Sequence, residues 1–225
     1  MARKLFYFVR HGESLLNAAS IRQGSEGSLS EKGQEQALDT GKRLTSHKID
    51  IILASPYIRT KETANIINSQ LKEQKKIEYI DLLHERRNPS EIIGKPMSDP
   101  EVKKIVETID KTYHSDDYRY SDEENFKDLK DRARTLLEYL SGRPENDVLV
   151  VTHGIFLRMV VAYIEYGERL NAATYNTLSF FNASNNAAVT ICEYKSGWFG
   201  PAKDKRWKVL AWDDYSRESV GSMGI

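Results

Sequence analysis

The sequence predicts an α/β fold: a three-layer α/β/α sandwich with a mostly parallel central sheet, helices on both faces, and an irregular, partly helical cap insertion. Three observations carry that expectation. Short continuous apolar runs alternate along the chain with amphipathic segments of helical period, the pattern of strands covered on both faces and of the helices that cover them. No repeat, low-complexity tract or linker divides the 225 residues, so 1–225 read as one domain large enough for a substantial core. Apolar residues at 40% and charged residues at 29% are the proportions of an ordinary globular chain.

The elements follow in order. "KLFYFVRHG" reads as a buried strand ending at Arg10. "SLSEKGQEQALDTGKRLTSH" reads as a helix with Ser30 as N-cap and Ala37, Leu38 and Leu44 along its apolar side. "IDIILASP" is a second buried strand, stopped by proline; "YIRTKETANIINSQLKE" is a second helix, and "KIEYIDLL" a third strand. The pattern then dissolves. Residues 86–121 read as the cap insertion, holding the short helix "EVKKIVETIDK" and the tyrosines Tyr113, Tyr118 and Tyr120. "SDEENFKDLKDRARTLLEYLSG" restores a long helix, capped by Ser121 or Asp122 and stopped by Gly142 and Pro144. "NDVLVVTHG" is a strand and "IFLRMVVAYIEYG" its following helix; "TLSFFNA", "AAVTICEYK" and "RWKVLAWDD" read as closing strands, the last two a hairpin.

Composition narrows the partners. Lysine plus arginine (33) balances aspartate plus glutamate (33), so no global field draws the chain to nucleic acid or to a membrane surface. Any anion must be caught by a local cluster. Cys192 is the single cysteine, which excludes an intrachain disulfide and suits a reducing compartment, the cytoplasm by default. "LFYFV" is too short for a signal-peptide core, and no run reaches the length of a membrane span. No motif calls for a metal or another cofactor.

In open α/β sheets ligands gather beyond the carboxyl ends of the strands. Those ends carry Arg10 and His11, then Ser55 with Arg59 one turn into the next helix, then Glu85, then His153 and Gly154. Each has a bland reading singly: a turn, a solvated helix arginine, a loop ion pair, a core histidine. Their convergence on one rim does not. Guanidinium forks match pairs of phosphoryl oxygens, a neutral imidazole can attack phosphorus and hold it covalently, a second and protonated imidazole can add a donor, and a carboxylic acid can protonate the leaving oxygen. The glycines after both histidines would let the backbone approach the ligand, and the helix starting near Ile155 could turn its amides towards an anion.

"RHGES", Asn17, "QGSEGSLSEKGQEQA", "SPYIRTKETA", "LLHER" and "THGIFLR", in that order, resemble the histidine phosphatase superfamily in its phosphoglycerate mutase-like branch. The resemblance implies a phosphohistidine on His11, a phosphate pocket of Arg10, Arg59 and His153, and Glu85 as general acid and then base. It also implies substrate contacts from Asn17, Gln23, Gly24 and the Gly154 amide, no metal, and a small phosphorylated substrate. The sequence departs from the family pattern at Ile21, where an arginine is common and Arg22 follows instead, and at "DEENF", which leaves Glu124 and Asn125 as the counterparts of a "GES"-like stretch.

A phosphatase is the expected activity. A bisphosphoglycerate-dependent mutase is the alternative, for which Arg86, Arg87 and Lys95 of the cap could grip a second charge. A phospho-ligand-binding protein without catalysis is the third reading, disfavoured because every catalytic group is present. The oligomeric state is left open.

Overall fold

The computed structural model describes residues 2–112, 115–181, 184–196 and 207–214. Strands Ala2–Arg10 (β1), Ile51–Ala54 (β2), Ile77–Tyr79 (β3), Asp147–Thr152 (β4), Val189–Ser196 (β5) and Trp207–Asp214 (β6) form one sheet in the order β3-β2-β4-β1-β5-β6. The first four run parallel; β5 pairs antiparallel with β1, and β6 with β5. The expected hairpin is therefore present at the edge of a mostly parallel sheet.

Period-two alternation sends the central strands' side chains to two cores. Leu15–Ala18 form a single-turn helix (α1). Tyr7, Val9, Ile52, Ala54, Leu149 and Val151 pack under the helices Glu31–Leu44 (α2) and Ile58–Gln70 (α3) through Leu44, Ala64 and Ile67. Phe6, Phe8, Leu53, Val148 and Val150 face the other way, onto helices Phe126–Gly142 (α5) and Gly154–Tyr166 (α6). The segment 86–121 feeds that second core: Ile92 and, from helix Pro100–Thr112 (α4), Val102, Ile105 and Ile109 are buried in it. Tyr120 packs against it as well, whereas Tyr113 and His114 lie outside the described residues.

Register positions the site. Arg10 pairs with Thr152 across β1 and β4, and the His11 amide donates to the Thr152 carbonyl at 2.9 Å. The residues that follow, His11 and His153, thereby leave the sheet side by side. On the other flank the Ser55 amide donates to the Val151 carbonyl at 3.0 Å, bringing the end of β2 to the same rim.

Three expectations are corrected. "TLSFF" is not strand but part of helix Ala172–Phe181 (α7), while Asn182 and Ala183 lie outside the described residues. The long helix begins at Phe126 with Asn125 as its cap, because Glu123 folds back to accept the amides of Tyr120 and Ser121 and keeps that stretch in a turn. The third strand is three residues long, and Asp81–Leu83 turn as a 3-10 helix that redirects the chain to Glu85.

Candidate active site

His11 is buried, and its two ring nitrogens have fixed partners. Nδ1 lies 2.7 Å from the Gly12 carbonyl oxygen, an acceptor, so Nδ1 carries the proton. Nε2 accepts from Arg59 Nε at 3.2 Å, so it presents a lone pair. Burial, then the Arg59 and Arg10 guanidiniums, hold the ring well below its ordinary range and therefore neutral. His153 stands edge-on to it with ring centroids 5.1 Å apart, its Nε2 paired with Ser55 Oγ at 2.9 Å. The same causes hold His153 neutral, chiefly burial and then Arg59, which corrects the expectation of a standing imidazolium there.

The arginines are fixed from behind. Arg59 is buried and donates through Nη1 to the carbonyls of Gly24 at 2.9 Å and Glu26 at 3.3 Å, while Arg10 donates to the Ser184 carbonyl. Thr63, one turn beyond Arg59, donates to the Arg59 carbonyl at 2.7 Å and accepts the Gly12 amide at 3.1 Å, which ties α3 to the end of β1.

The glycine expectation needs revision. A Cβ on Gly12 would lie 2.3 Å from the carbonyl oxygen of Gly33, and one on Gly33 would lie 1.9 Å from that of Glu13. The first glycine is thus demanded by α2 crossing the strand end, not by a ligand. Gly154 does face the site: its Cβ would press on Arg10 Nε at 3.1 Å and Ser184 Oγ at 3.2 Å.

Glu85 sits across the start of α6. Its carboxylate accepts the amides of Phe156 at 3.0 Å, Ile155 at 3.2 Å and Arg86 at 2.9 Å. The helix N-terminus expected to meet a substrate anion meets this carboxylate instead. The loop bearing Glu85 is clamped by Arg132 of α5, which donates to the carbonyls of Leu82 at 3.0 Å and His84 at 2.7 Å and forks onto both oxygens of buried Glu124 at 2.9 and 2.7 Å. Glu124 also accepts the Arg87 amide at 2.9 Å and lies 3.6 Å from His84 Nε2; His84, then Arg132 and that amide, pull its carboxyl down to about 2 despite burial.

A cavity of about 280 Å³ is lined by Arg10, His11, Asn17, Gln23, Arg59, Glu85 and Gly154, and also by Ile21, Arg22, Asn88, Met97, Ile155, Arg158 and Ser184; His153 is not in its lining and stands behind His11 through the ring contact. Asn17 and Gln23 are bridged through Ser14 Oγ, at 3.0 and 2.7 Å. Gly24 does not line the cavity; its carbonyl positions Arg59. Arg87 is exposed and away from the cavity walls, Arg86 stands behind Asn88, and Lys95 is paired with Glu101 at 3.1 Å. Sequence reasoning missed Arg158, although it lies one helical turn after Gly154 and so on the same face of α6. It noted Arg22 only as a departure, and Ser184 and Asn88 carried no signal. Among the described residues, no group of three or more histidine, cysteine, aspartate or glutamate side chains could hold a metal ion.

A neutral imidazole whose Nε2 lone pair meets an arginine, a second guanidinium beside it and a carboxylate in the same cavity define a protein of phosphoryl chemistry on an α/β scaffold. The family model of the histidine phosphatase superfamily (branch 1) matches residues 6–203, and the chain belongs to that superfamily. It is 32% identical over 177 residues to the probable phosphoglycerate mutase GpmB of Erwinia tasmaniensis, covering 70% of this chain and 73% of that one. It is 30% identical over 162 residues to the uncharacterized phosphatase PhoE of Bacillus subtilis, covering 71% and 77%. The solved fold of a mycobacterial glucosyl-3-phosphoglycerate phosphatase superimposes with a TM-score of 0.72 at 20% identity, over 94% of this chain and 99% of that one.

Proposed function

We propose that the protein is a phosphomonoester hydrolase working through a phosphohistidine on His11, without a metal, on a small phosphorylated substrate. The observation that carries this reading is the tautomer of His11: Nδ1 is tied to a carbonyl, and the Nε2 lone pair faces Arg59 inside the cavity. In the first step Nε2 bonds to phosphorus as the ester P–O bond breaks, Arg10 and Arg59 match the non-bridging oxygens, and Glu85 gives its proton to the leaving oxygen. The dianion's charge favours a proton on His153, which then donates to it. In the second step Glu85 takes a proton from water, the water oxygen bonds to phosphorus, and the N–P bond breaks. Asn17 and Gln23 contact the substrate at the rim.

Mutase activity is the second reading, favoured by the resemblance to GpmB. The exposed position of Arg87 and the pairing of Lys95 weaken it, because those cations were its expected grip on a second phosphate. The residues 86–121 act as a cap over the rim in either reading. The cytoplasm suits a chain whose one cysteine is buried and in which no described helix is long and apolar enough to cross a membrane.

Rapid quench during turnover of a labelled phosphate ester, in EDTA, tests the proposal. The expected result is an acid-labile, alkali-stable phosphoryl group on His11, absent from His11→Ala. Label on a serine, or activity abolished by EDTA and restored by a divalent ion, would refute it. Adding 3-phosphoglycerate then separates the readings: loss of label to water marks a hydrolase, transfer to the added acid a mutase.

A further inference from the structure

Arg10 Nε and the Ser184 hydroxyl are both buried, and neither has an acceptor among the described residues. They stand together: a Cβ placed on Gly154 would come within 3.1 Å of the first and 3.2 Å of the second. Arg10, Gly154 and Ser184 all line the cavity that holds His11. An unmatched hydroxyl on a residue only 7% exposed is a cost to the free protein, and a group that accepts from it inside the cavity removes that cost.

Folding does not call for this hydroxyl. What fixes Arg10 is the Ser184 backbone carbonyl, which any residue supplies. The loop that follows is held by other groups. The Asn185 backbone and side-chain amides donate to the Asp213 carboxylate at 2.7 and 2.6 Å, and Thr40 Oγ1 donates to the Ala187 carbonyl at 2.7 Å. Asn186 Nδ2 donates to the His11 carbonyl at 3.0 Å, and the Ala187 amide to that of Arg10 at 2.9 Å. Ser184 is thus set in place from both sides, with its hydroxyl left over. A donor fixed in advance is the kind that stabilises charge spread over phosphoryl oxygens, since nothing has to reorganise as the charge moves.

Resting on the hydrolase reading, we propose that Ser184 is a catalytic residue: its hydroxyl donates to a non-bridging oxygen of the transferred phosphoryl group, beside Arg10 Nε, in the corner that Gly154 leaves open. Gly154 has its reason in the same arrangement, because a side chain there would crowd both donors.

Ser184→Ala keeps the carbonyl on Arg10 and removes only the hydroxyl. Its kcat/KM should fall about 10- to 100-fold, the worth of one hydrogen bond to a charged group. The factor should be the same for alkyl and p-nitrophenyl phosphates, because both carry the same non-bridging oxygens, and inhibition by orthovanadate should weaken in parallel. The urea midpoint of the free variant should stay level or rise, since an unmatched buried hydroxyl has gone; a residue serving only the fold would lower activity and midpoint together. A crystal of the wild-type protein with orthovanadate needs no variant to fold, and should place Ser184 Oγ within about 3.0 Å of a vanadate oxygen. Wild-type kcat/KM in Ser184→Ala, a loss confined to poor leaving groups, a midpoint that falls with activity, or a nearest vanadate oxygen beyond about 3.5 Å each overturns the proposal. Any of these beside a phosphohistidine on His11 leaves the hydrolase reading standing; no phosphohistidine in the wild type rejects that reading first and this proposal with it.

Discussion

Glu85 occupies an unusual post for a proton donor, because three backbone amides already converge on its carboxylate. They fix its position at the mouth of α6 and leave it little freedom to be replaced. Glu85→Gln keeps the size and one carbonyl oxygen but turns an amino group towards amides that are themselves donors, and it cannot transfer the proton. Esters with poor leaving groups should lose about 10²–10⁴ in kcat/KM, the usual worth of general acid catalysis, while a p-nitrophenyl ester loses far less. A series of substituted phenyl and alkyl phosphates measures this as a steeper dependence on leaving-group basicity. Equal losses across the series would remove Glu85 from the role of acid.

One level up, the element that holds Glu85 is the loop 82–87, and its anchor is the Glu124–Arg132 pair, with side chains only 7% and 8% exposed. Arg132 grips the loop before Glu85 and Glu124 grips it after, so the pair positions the acid without touching a substrate. Glu124→Ala leaves a buried guanidinium unmatched and should cost about 3–5 kcal/mol by urea unfolding, with the Glu124→Ala/Arg132→Met double variant less unstable than the sum. The folded fraction should also show the leaving-group bias of Glu85→Gln, a readout that lost stability alone does not produce; a uniform loss would reduce the pair to a structural role. This anchor was hidden in "SDEENF", where several cap-type residues in a row masked which one caps the helix. Ser30 was legible because it stands alone before an apolar-periodic run, and it does accept the Gly33 amide. "TLSFF" has a similar difficulty: a short apolar run fits strand and helix equally by period, and the backbone here is helical. The rim itself could be read from sequence, since parallel strands put "RHG", "ASP" and "THG" at one edge; Arg22 could not, because backbone pairings that no period announces bring its loop in, nor could Ser184, whose carbonyl meets Arg10.

For the whole molecule, two buried neutral histidines beside a cation-lined cavity make stability depend on pH in a predictable direction. His11 and His153 are 3% and 0% exposed, and both are held well below the ordinary value of 6.5, by burial first and neighbouring arginines second. In the unfolded chain the same rings take up protons as pH falls through 6.5. The unfolded state therefore binds more protons in that range, and stability declines from pH 6.5 downward at up to about 1.4 kcal/mol per pH unit for each ring. Glu124 acts in a separate window: held at about 2 against an ordinary 4.5, it contributes stability that is intact above 4.5 and lost as pH falls towards 2. Urea midpoints at pH 7.5, 6.5 and 5.5 isolate the histidine window, since Glu124 stays ionised throughout it. Wild type should lose stability between 6.5 and 5.5 and hold nearly level above, and a His11→Asn/His153→Asn variant should flatten that step. Orthovanadate, which brings negative charge beside both rings, should shrink the step in wild type and leave the double variant unmoved. A wild-type midpoint that stays level from pH 7.5 to 5.5 would mean that the two imidazoles are not held neutral, and the lone pair assigned to His11 as nucleophile would lose its physical basis.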